Sequence, residues 1–419
     1  MLLDEPVVYL REILNLYPNS YLAEDELQTI IGIDCDYIDG DDLQKLKTAY
    51  ENGNKICEFA GLFGVMSYEV VHKFETIGEK KPMFYDFPTY FYANAKAYLH
   101  YDKQSKIYSY YGEGEYFSNL ENVKPKKYTN NERFYHIDTD LNAEETHFKN
   151  SINLAKEYIK SGDVFQVVLS QTLKLSSNLD PLEFYEILKR QNPSQYMFYF
   201  PTPYGVVTGS SPELIMRVSK GEIFVAPIAG TRGRGSDANE DEKLKFELLN
   251  DEKELAEHKM LIDLARNDIG KFAKKGSVKV KNPMHIKTYE SVMHIASEVY
   301  GTKREDKSAF DVLSIVFPAG TLSGSPKIRA MQIINELEGS SRGVYGGGIG
   351  FWHFNGDVQM AILIRSAIFV PKGNGVNEVF IGAGAGIVYD SVPKSEYEEI
   401  CKKRRSCVKI FEEVCKELR

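Results

Sequence analysis

The strings GVYGGGIG (residues 343–350) and GAGAGIV (residues 382–388) constrain the fold of this chain more tightly than any other part of it. Both sit among β-prone apolar residues and read as strands. Glycine inside a strand costs backbone entropy and offers no side chain to pack, so its accumulation marks a bulge or a close approach of another backbone. One reading is a tight crossing of sheet on sheet. The other is a row of backbone N–H groups facing an anionic ligand. Neither string is a GxGxxG that opens a fitting helix, so a dinucleotide-binding fold is not supported.

Around these strings many β segments lie between long helices, without a strict βαβ rhythm. Helices are expected over Pro6–Leu16, Asp41–Asn52, Thr146–Ser161, Asp180–Gln191, a broken Asp241–Lys274 region and Lys394–Leu418. Strands are expected in DVFQVVLSQTLKL, YMFYF, YGVVTGSS, VQMAILIRSAIFV and NEVFIGAGAGIVY, and a hairpin around the turn DKQSK. The pattern predicts an α+β fold: large, mainly antiparallel β-sheets packed together, with helices on the outside. With 419 residues, two to three domains or one large one are expected. The polar, Pro- and Asn-bearing stretch NLENVKPKKYTNNERF is the best linker, which divides the chain into residues 1–130 and 131–419.

Charge and cysteine content exclude several classes. There are 51 Lys and Arg against 60 Asp and Glu, a formal net charge of −9. Such a chain lacks the basic surplus on which phosphate-backbone affinity rests, so no nucleic-acid partner is expected. Its five cysteines form no CxxC pair, which argues against a zinc ribbon or a disulfide framework. The first residues, MLLDEPVVYLREIL, do not read as a signal peptide. No run has the roughly 18 apolar residues a membrane span requires. A cytoplasmic enzyme with no membrane partner is expected.

Two Glu-x-x-Glu pairs carry the first chemical signal: Glu254 with Glu257, and Glu396 with Glu399. A separation of three puts both carboxylates on one helix face. A solvated face is the ordinary reading of one such pair. Two pairs, each near apolar positions and glycine-rich segments, suit a hard cation such as Mg²⁺, which favours oxygen ligands and retains water. The string PAGTLSGSPKIRAMQIINELEG (residues 318–339) opens a helix near Ser325–Pro326, with Lys327 and Arg329 close by. It reads either as a well-capped helix or as an anion site.

Taken together and in order, SPELIMRV, PIAGTRGRG, DEKELAEHKMLIDLARND, HIASEVYG, FPAGTLSGSPK, RGVYGGG, LIRSAIF and GAGAGIVYDSVPKSEYEE resemble the signature blocks of the chorismate-utilising enzymes. These include anthranilate synthase component I, aminodeoxychorismate synthase component I, isochorismate synthase and salicylate synthase. The N-terminal segment resembles the family's matching domain more weakly and in shortened form. The resemblance implies that Glu257 and Glu399 hold Mg²⁺, with Glu254 and Glu396 in support. It implies that Lys403, Tyr345 and Arg365 grip the carboxylates of chorismate, helped by backbone N–H groups around Gly384. Gly230, Thr231 and Thr321 would line the pocket, His294 would be the pocket histidine, and Glu213 the general acid beside the departing hydroxyl.

Three positions bear on the member of the family. Water-using members carry lysine where this chain has Gln166, a poor base, so ammonia is the implied nucleophile. Ala229 stands where many aminodeoxychorismate synthases have lysine. QNPSQYMFYF resembles the NPSPYMF block of anthranilate synthases, with Gln195 in place of proline. The implied reaction is amination of chorismate at C2, loss of the C4 hydroxyl and elimination of pyruvate to give anthranilate, with His294 serving the elimination. Aminodeoxychorismate formation is the alternative, and a non-catalytic chorismate- or tryptophan-binding regulator a more distant one. No cysteine sits in the Gly-flanked turn of a glutaminase nucleophile, so a separate glutamine amidotransferase subunit is expected to supply ammonia. The feedback motif, expected as LLES, reads Leu22-Ala23-Glu24-Asp25; Glu24, Tyr196 and Met197 are the expected tryptophan contacts. Gly233 replaces the proline usual in TRPRG.

Overall fold

The structure is a computed structural model and describes residues 5–120, 132–288 and 292–418. The candidate linker runs through residues 121–131, which lie outside these. The strands upstream of it are β1 (Tyr21–Glu24), β2 (Gln28–Gly40), β3 (Gly61–Met66), β4 (Tyr90–Asp102) and β5 (Ile107–Tyr111). Downstream come β6 (Phe134–Ile137), β7 (Gln166–Ser177), β8 (Tyr196–Thr202), β9 (Gly205–Ser211), β10 (Leu214–Ser219), β11 (Glu222–Val225) and β12 (Ile228–Gly233). They are followed by β13 (Lys279–Thr288), β14 (Val292–Thr302), β15 (Gly324–Ser325), β16 (Gly348–His353), β17 (Val358–Ile362), β18 (Ser366–Gly373), β19 (Val376–Ile387) and β20 (Lys416–Glu417). The helices are α1 (Pro6–Leu16), α2 (Leu43–Glu51), α3 (Val71–Phe74), α4 (Gly114–Leu120), α5 (Leu141–Lys160), α6 (Pro181–Gln191), α7 (Ala238–Leu249), α8 (Glu252–Gly270), α9 (Ala309–Val316), α10 (Lys327–Leu337) and α11 (Pro393–Val414).

The starts of α2, α5, α6, α7, α8 and α9 follow from side-chain caps. Asp180 accepts from the N–H groups of Leu182 (2.9 Å) and Glu183 (3.1 Å), and Pro181 occupies the first turn, which starts α6 where the sequence predicts. Asp251 accepts from Lys253 N (3.1 Å) and Glu254 N (3.2 Å). This fresh cap breaks the expected long helical region into α7 and α8. The terminal helix stops at Val414 rather than Leu418, because Lys416–Glu417 pair in parallel with β6.

Hydrogen bonding runs without interruption from β14 through β11, β10, β17, β16, β3, β4, β2, β1, β8, β9, β18, β19 and β7 to β6. Among the described residues every strand pair is antiparallel except β6–β20. The longest ladders are β2–β4 and β7–β19. The surface folds back on itself around a buried aromatic core. Phe63 of β3 packs against Tyr21 of β1 (4.4 Å between ring centroids), Phe351 of β16 (4.7 Å) and Phe200 of β8 (5.4 Å). Helices α5 and α10 cover the β7 face, and α11 lies along β19. β7 and β19 pair along their length, α11 and the short 3₁₀ turn Gly320–Leu322 lie against β19, and the same turn meets α8.

Candidate active site

The two glycine strings have different causes. In GVYGGGIG a side chain on Gly347 would run into the carbonyl of Met66, and one on Gly350 into that of Gln359, so this string is a tight crossing of strands. In β19 the glycines make room for the side chains of Tyr345 and Gln166. A Cβ on Gly382 would strike the ring of Tyr345. On Gly384 it would lie 2.8 Å from the Leu169 carbonyl oxygen and 3.0 Å from the Tyr345 hydroxyl, and on Gly386 2.6 Å from Gln166 Nε2.

Glu213 enters this space just before β10. Thr321, in the 3₁₀ turn, donates its hydroxyl to Glu213 Oε1 at 2.5 Å. The carboxyl end of Glu213 is enclosed, and burial pushes its pKa up to about 7 against the opposing pull of Thr321, Lys403 and Arg365. Arg365 adopts a left-handed backbone (φ 51°) and donates to the Lys403 carbonyl at 2.8 Å; burial draws its pKa down. Lys403 donates to the Gly384 carbonyl at 2.8 Å and pairs with Glu399 at 2.7 Å. Burial raises the Tyr345 hydroxyl well above its usual range, which keeps it a neutral donor.

His294 of β14 donates from Nδ1 to the Gly230 carbonyl at 2.9 Å. A carbonyl only accepts, so Nδ1 carries the proton and Nε2 is the basic nitrogen of the neutral ring. Burial lowers the His294 pKa, which favours that neutral form. Gly230 needs its hydrogen: its φ is 62°, and a Cβ would lie 2.9 Å from Leu248 and 3.1 Å from the Glu254 carboxylate. Thr231 stands opposite His294 in the β12–β14 ladder.

The carboxylates occupy two helices. Glu257 of α8 accepts from Gln166 Nε2 at 2.8 Å, and Gln166 Oε1 is buried without a hydrogen-bond partner among the described residues. The Glu254 pKa is raised by burial and by Glu257 beside it, and that of Glu396 by burial and by Glu399, with Lys253 of α8 opposing. Among the described residues no three His, Cys, Asp or Glu side chains are gathered closely enough to enclose a cation.

This sequence matches the chorismate binding enzyme family over residues 18–409. The chain belongs to that family. It is 50% identical over 271 residues (65% of this chain, 54% of the relative) to anthranilate synthase component 1 of Aquifex aeolicus. The corresponding protein of Acetivibrio thermocellus is 50% identical over 272 residues, again 65% of this chain and 54% of the relative. The chain thus spans about half the length of the curated relatives it matches. The crystal structure of anthranilate synthase component I from Streptococcus pneumoniae TIGR4 superposes with a TM-score of 0.77 at 28% identity, covering 97% of this chain and 94% of that one. The match confirms the expected mainly antiparallel α+β architecture of a chorismate binding enzyme.

Within this chorismate binding enzyme the predicted residues fall into three linked groups. Glu213, Thr321, Tyr345, Arg365, Gly384, Lys403 and Glu399 form one. Gln166 and Glu257 form a second, joined to the first through β7 and β19. His294, Gly230 and Glu254 form the third. Glu24, Tyr196 and Met197 lie elsewhere, lining a pocket between β1, β8 and β16. There Glu24 is already engaged by the Tyr185 hydroxyl, Lys189 (2.9 Å), Thr29 (3.0 Å) and Lys103 (3.1 Å). Asp25 caps a turn through Leu27 N (2.8 Å) and Gln28 N (2.9 Å). Lys327 and Arg329 are paired with Asp268 (2.6 Å) and Asp163 (2.9 Å), and α10 starts after Pro326 without a side-chain cap, so neither the anion-site nor the well-capped reading of this segment is carried by the structure. Sequence reasoning missed Arg342, which stands three residues before Tyr345 in a string already singled out.

Proposed function

We propose that this chain is the large subunit of an anthranilate synthase: it aminates chorismate at C2 with ammonia and eliminates pyruvate to give anthranilate, a step of tryptophan biosynthesis. The observation that carries this reading is Glu213, a carboxylic acid with a pKa of about 7 held by Thr321 and flanked by Arg365 and Lys403. The C4 hydroxyl of chorismate is a poor leaving group, and Glu213 gives it the proton it needs as ammonia adds at C2. Arg365, Lys403 and Tyr345 bind the substrate's carboxylates, and Gly230, Thr231 and backbone groups around Gly384 line the pocket. Gln166 offers no base to activate water, so the nucleophile is one that needs none. In the second step C2 loses a proton and the enolpyruvyl group gains one; the neutral His294 serves this transfer.

Glu257 and Glu399 fit Mg²⁺, with Glu254 and Glu396 beside them: a cation bound through one or two carboxylates, water and substrate oxygen needs no closed protein cage. Held by these carboxylates, Mg²⁺ would supply Lewis-acid charge to the bound substrate. Ammonia would come from a separate glutamine amidotransferase subunit, in the cytoplasm. Residues 1–130 are read as carrying part of a tryptophan site, through Glu24 with Tyr196 and Met197, and residues 131–419 as carrying the chemistry.

The test is turnover of chorismate with Mg²⁺ and ammonium salt. Fluorescent anthranilate and released pyruvate are expected. A product that keeps its enolpyruvyl group would instead assign aminodeoxychorismate synthesis, and absence of turnover would favour a binding regulator.

A further inference from the structure

A buried ionic cluster that the proposed chemistry leaves unused joins β7, the end of α10 and the loop that carries Tyr345. Arg342, 4% exposed, donates from Nε and Nη2 to the two oxygens of Glu338 at 2.9 and 2.6 Å. The same guanidinium donates to the Leu322 carbonyl at 2.6 Å and to the Val168 carbonyl at 2.7 Å, and it stacks over the Tyr68 ring. Leu322 is the residue after Thr321. Val168 is two residues after Gln166. The Arg342 backbone takes part as well: its N–H donates to Glu69 at 3.0 Å, and its carbonyl accepts from Tyr345 N at 3.2 Å. Glu338 also accepts from Ser170 N (2.8 Å) and Ser170 Oγ (2.9 Å), so β7 is held a second time.

We propose that Arg342 is a positioning residue, whose guanidinium fixes the Thr321 turn and the Gln166 strand against each other while its backbone fixes the Tyr345 loop. The inference rests on the reading of Glu213 as the acid and Thr321 as its hydrogen-bond donor. It follows from the shape of the group. A guanidinium presents five donors in one rigid plane, so a single side chain fixes the angle between a carboxylate and two carbonyls from different elements. Lysine keeps the charge but loses that plane. A core needing only charge balance under this loop would be served by Arg342 and Glu338 alone. The two additional bonds go to the peptide segments that carry Thr321 and Gln166.

A double-mutant cycle in kcat tests this, using Arg342→Lys, Thr321→Val and the pair, with chorismate, Mg²⁺ and ammonia saturating. Each single variant is expected to lower kcat by about tenfold or more, since misplacement by about 1 Å costs up to about 10²-fold. The chorismate KM should move less than about threefold, because Arg342 does not touch substrate. The double variant should be no more than about threefold slower than the slower single variant, since both remove one alignment. Losses that multiply would overturn the inference and leave Arg342 a plain core residue. If Arg342→Lys does not fold, Ser170→Ala takes its place, removing one donor to Glu338 and leaving the ion pair; an unchanged kcat there would overturn it too. An inactive wild-type chain would instead overturn the activity reading.

Discussion

Burial of the Glu213 carboxyl carries a cost. Its folded pKa of about 7, against an ordinary 4.5, means that burial holds it protonated across the slightly acid range. In the proposed mechanism the protonated form is the working acid, so kcat/KM, measured at constant free ammonia, should fall as pH rises above about 7. Stability follows the same sign. The contribution of a group whose folded pKa is raised is fully present below 4.5 and is lost as pH climbs through about 7, on the order of 3 kcal/mol in all. Glu213→Gln cannot ionise and still accepts from Thr321. It should lose at least about 10²-fold in kcat, yet melt higher than wild type at pH 8 and no higher at pH 4.5. A melting-temperature difference that ignores pH would refute the enclosed acid. His294→Met should slow elimination more than amination, so that 2-amino-2-deoxyisochorismate accumulates and is seen by chromatography; equal loss of both steps would return His294 to a structural role. Glu213 and His294 were singled out through the resemblance of SPEL and MHIASEV to the family's blocks, since neither residue type in its local string marks a catalytic group by itself. The raised pKa was not legible there, since it comes from the enclosure of Glu213 by segments distant in sequence. Arg342 was passed over for the same reason: its partners at 168, 322 and 338 come from separate elements.

Strand β19 and helices α8 and α11 show how local pattern and tertiary demand share the work. The alternation of glycine and alanine in GAGAG keeps one face of β19 bare, and the Tyr345 ring fills that space beside Gly382. Gly382→Ala should push Tyr345 aside and raise the chorismate KM by about tenfold, roughly 1.4 kcal/mol, with the fold intact by circular dichroism. An unchanged KM would mean that Tyr345 does not grip the substrate. On α8 and α11, Glu257→Gln and Glu399→Gln should each abolish Mg²⁺-dependent turnover and remove Mg²⁺ binding in a calorimetric titration. Near-normal turnover of either variant with Mg²⁺ chelated would end the metal assignment. Helices α1 and α6 were legible almost to the residue, because apolar spacing and the Asp180–Pro181 cap are local signals. The end of α11 was not, because its stop at Val414 is set by pairing of Lys416–Glu417 with residues 134–135.

The order of the strands ties the two ends of the chain together in a way no linear reading conveys. β1 pairs with β8, and β3 pairs with β16, so strands from before residue 130 have neighbours from after it. The same joints carry the aromatic core, where Phe63 and Tyr21 pack against Phe200 and Phe351. Glu69, from the N-terminal side, also holds the backbone N–H of Arg342 and Gly343 at 3.0 and 3.3 Å under the Tyr345 loop. Strands from both sides of residue 130 therefore share one sheet, and folding of the later part should depend on the earlier. A chain of residues 131–419 alone would expose one edge each of β8 and β16 and bare the faces of Phe200 and Phe351. Exposed edges of this kind template association, and each buried aromatic side chain that loses its partner costs about 3–5 kcal/mol when the loss resembles truncation to alanine. The expected result is aggregation on size-exclusion chromatography and no near-ultraviolet circular dichroism. Adding residues 1–130 as a separate chain during refolding should restore both, along with chorismate turnover. If residues 131–419 alone give a monodisperse, active species, the joints at β1–β8 and β3–β16 are dispensable and the boundary separates two independent folding units.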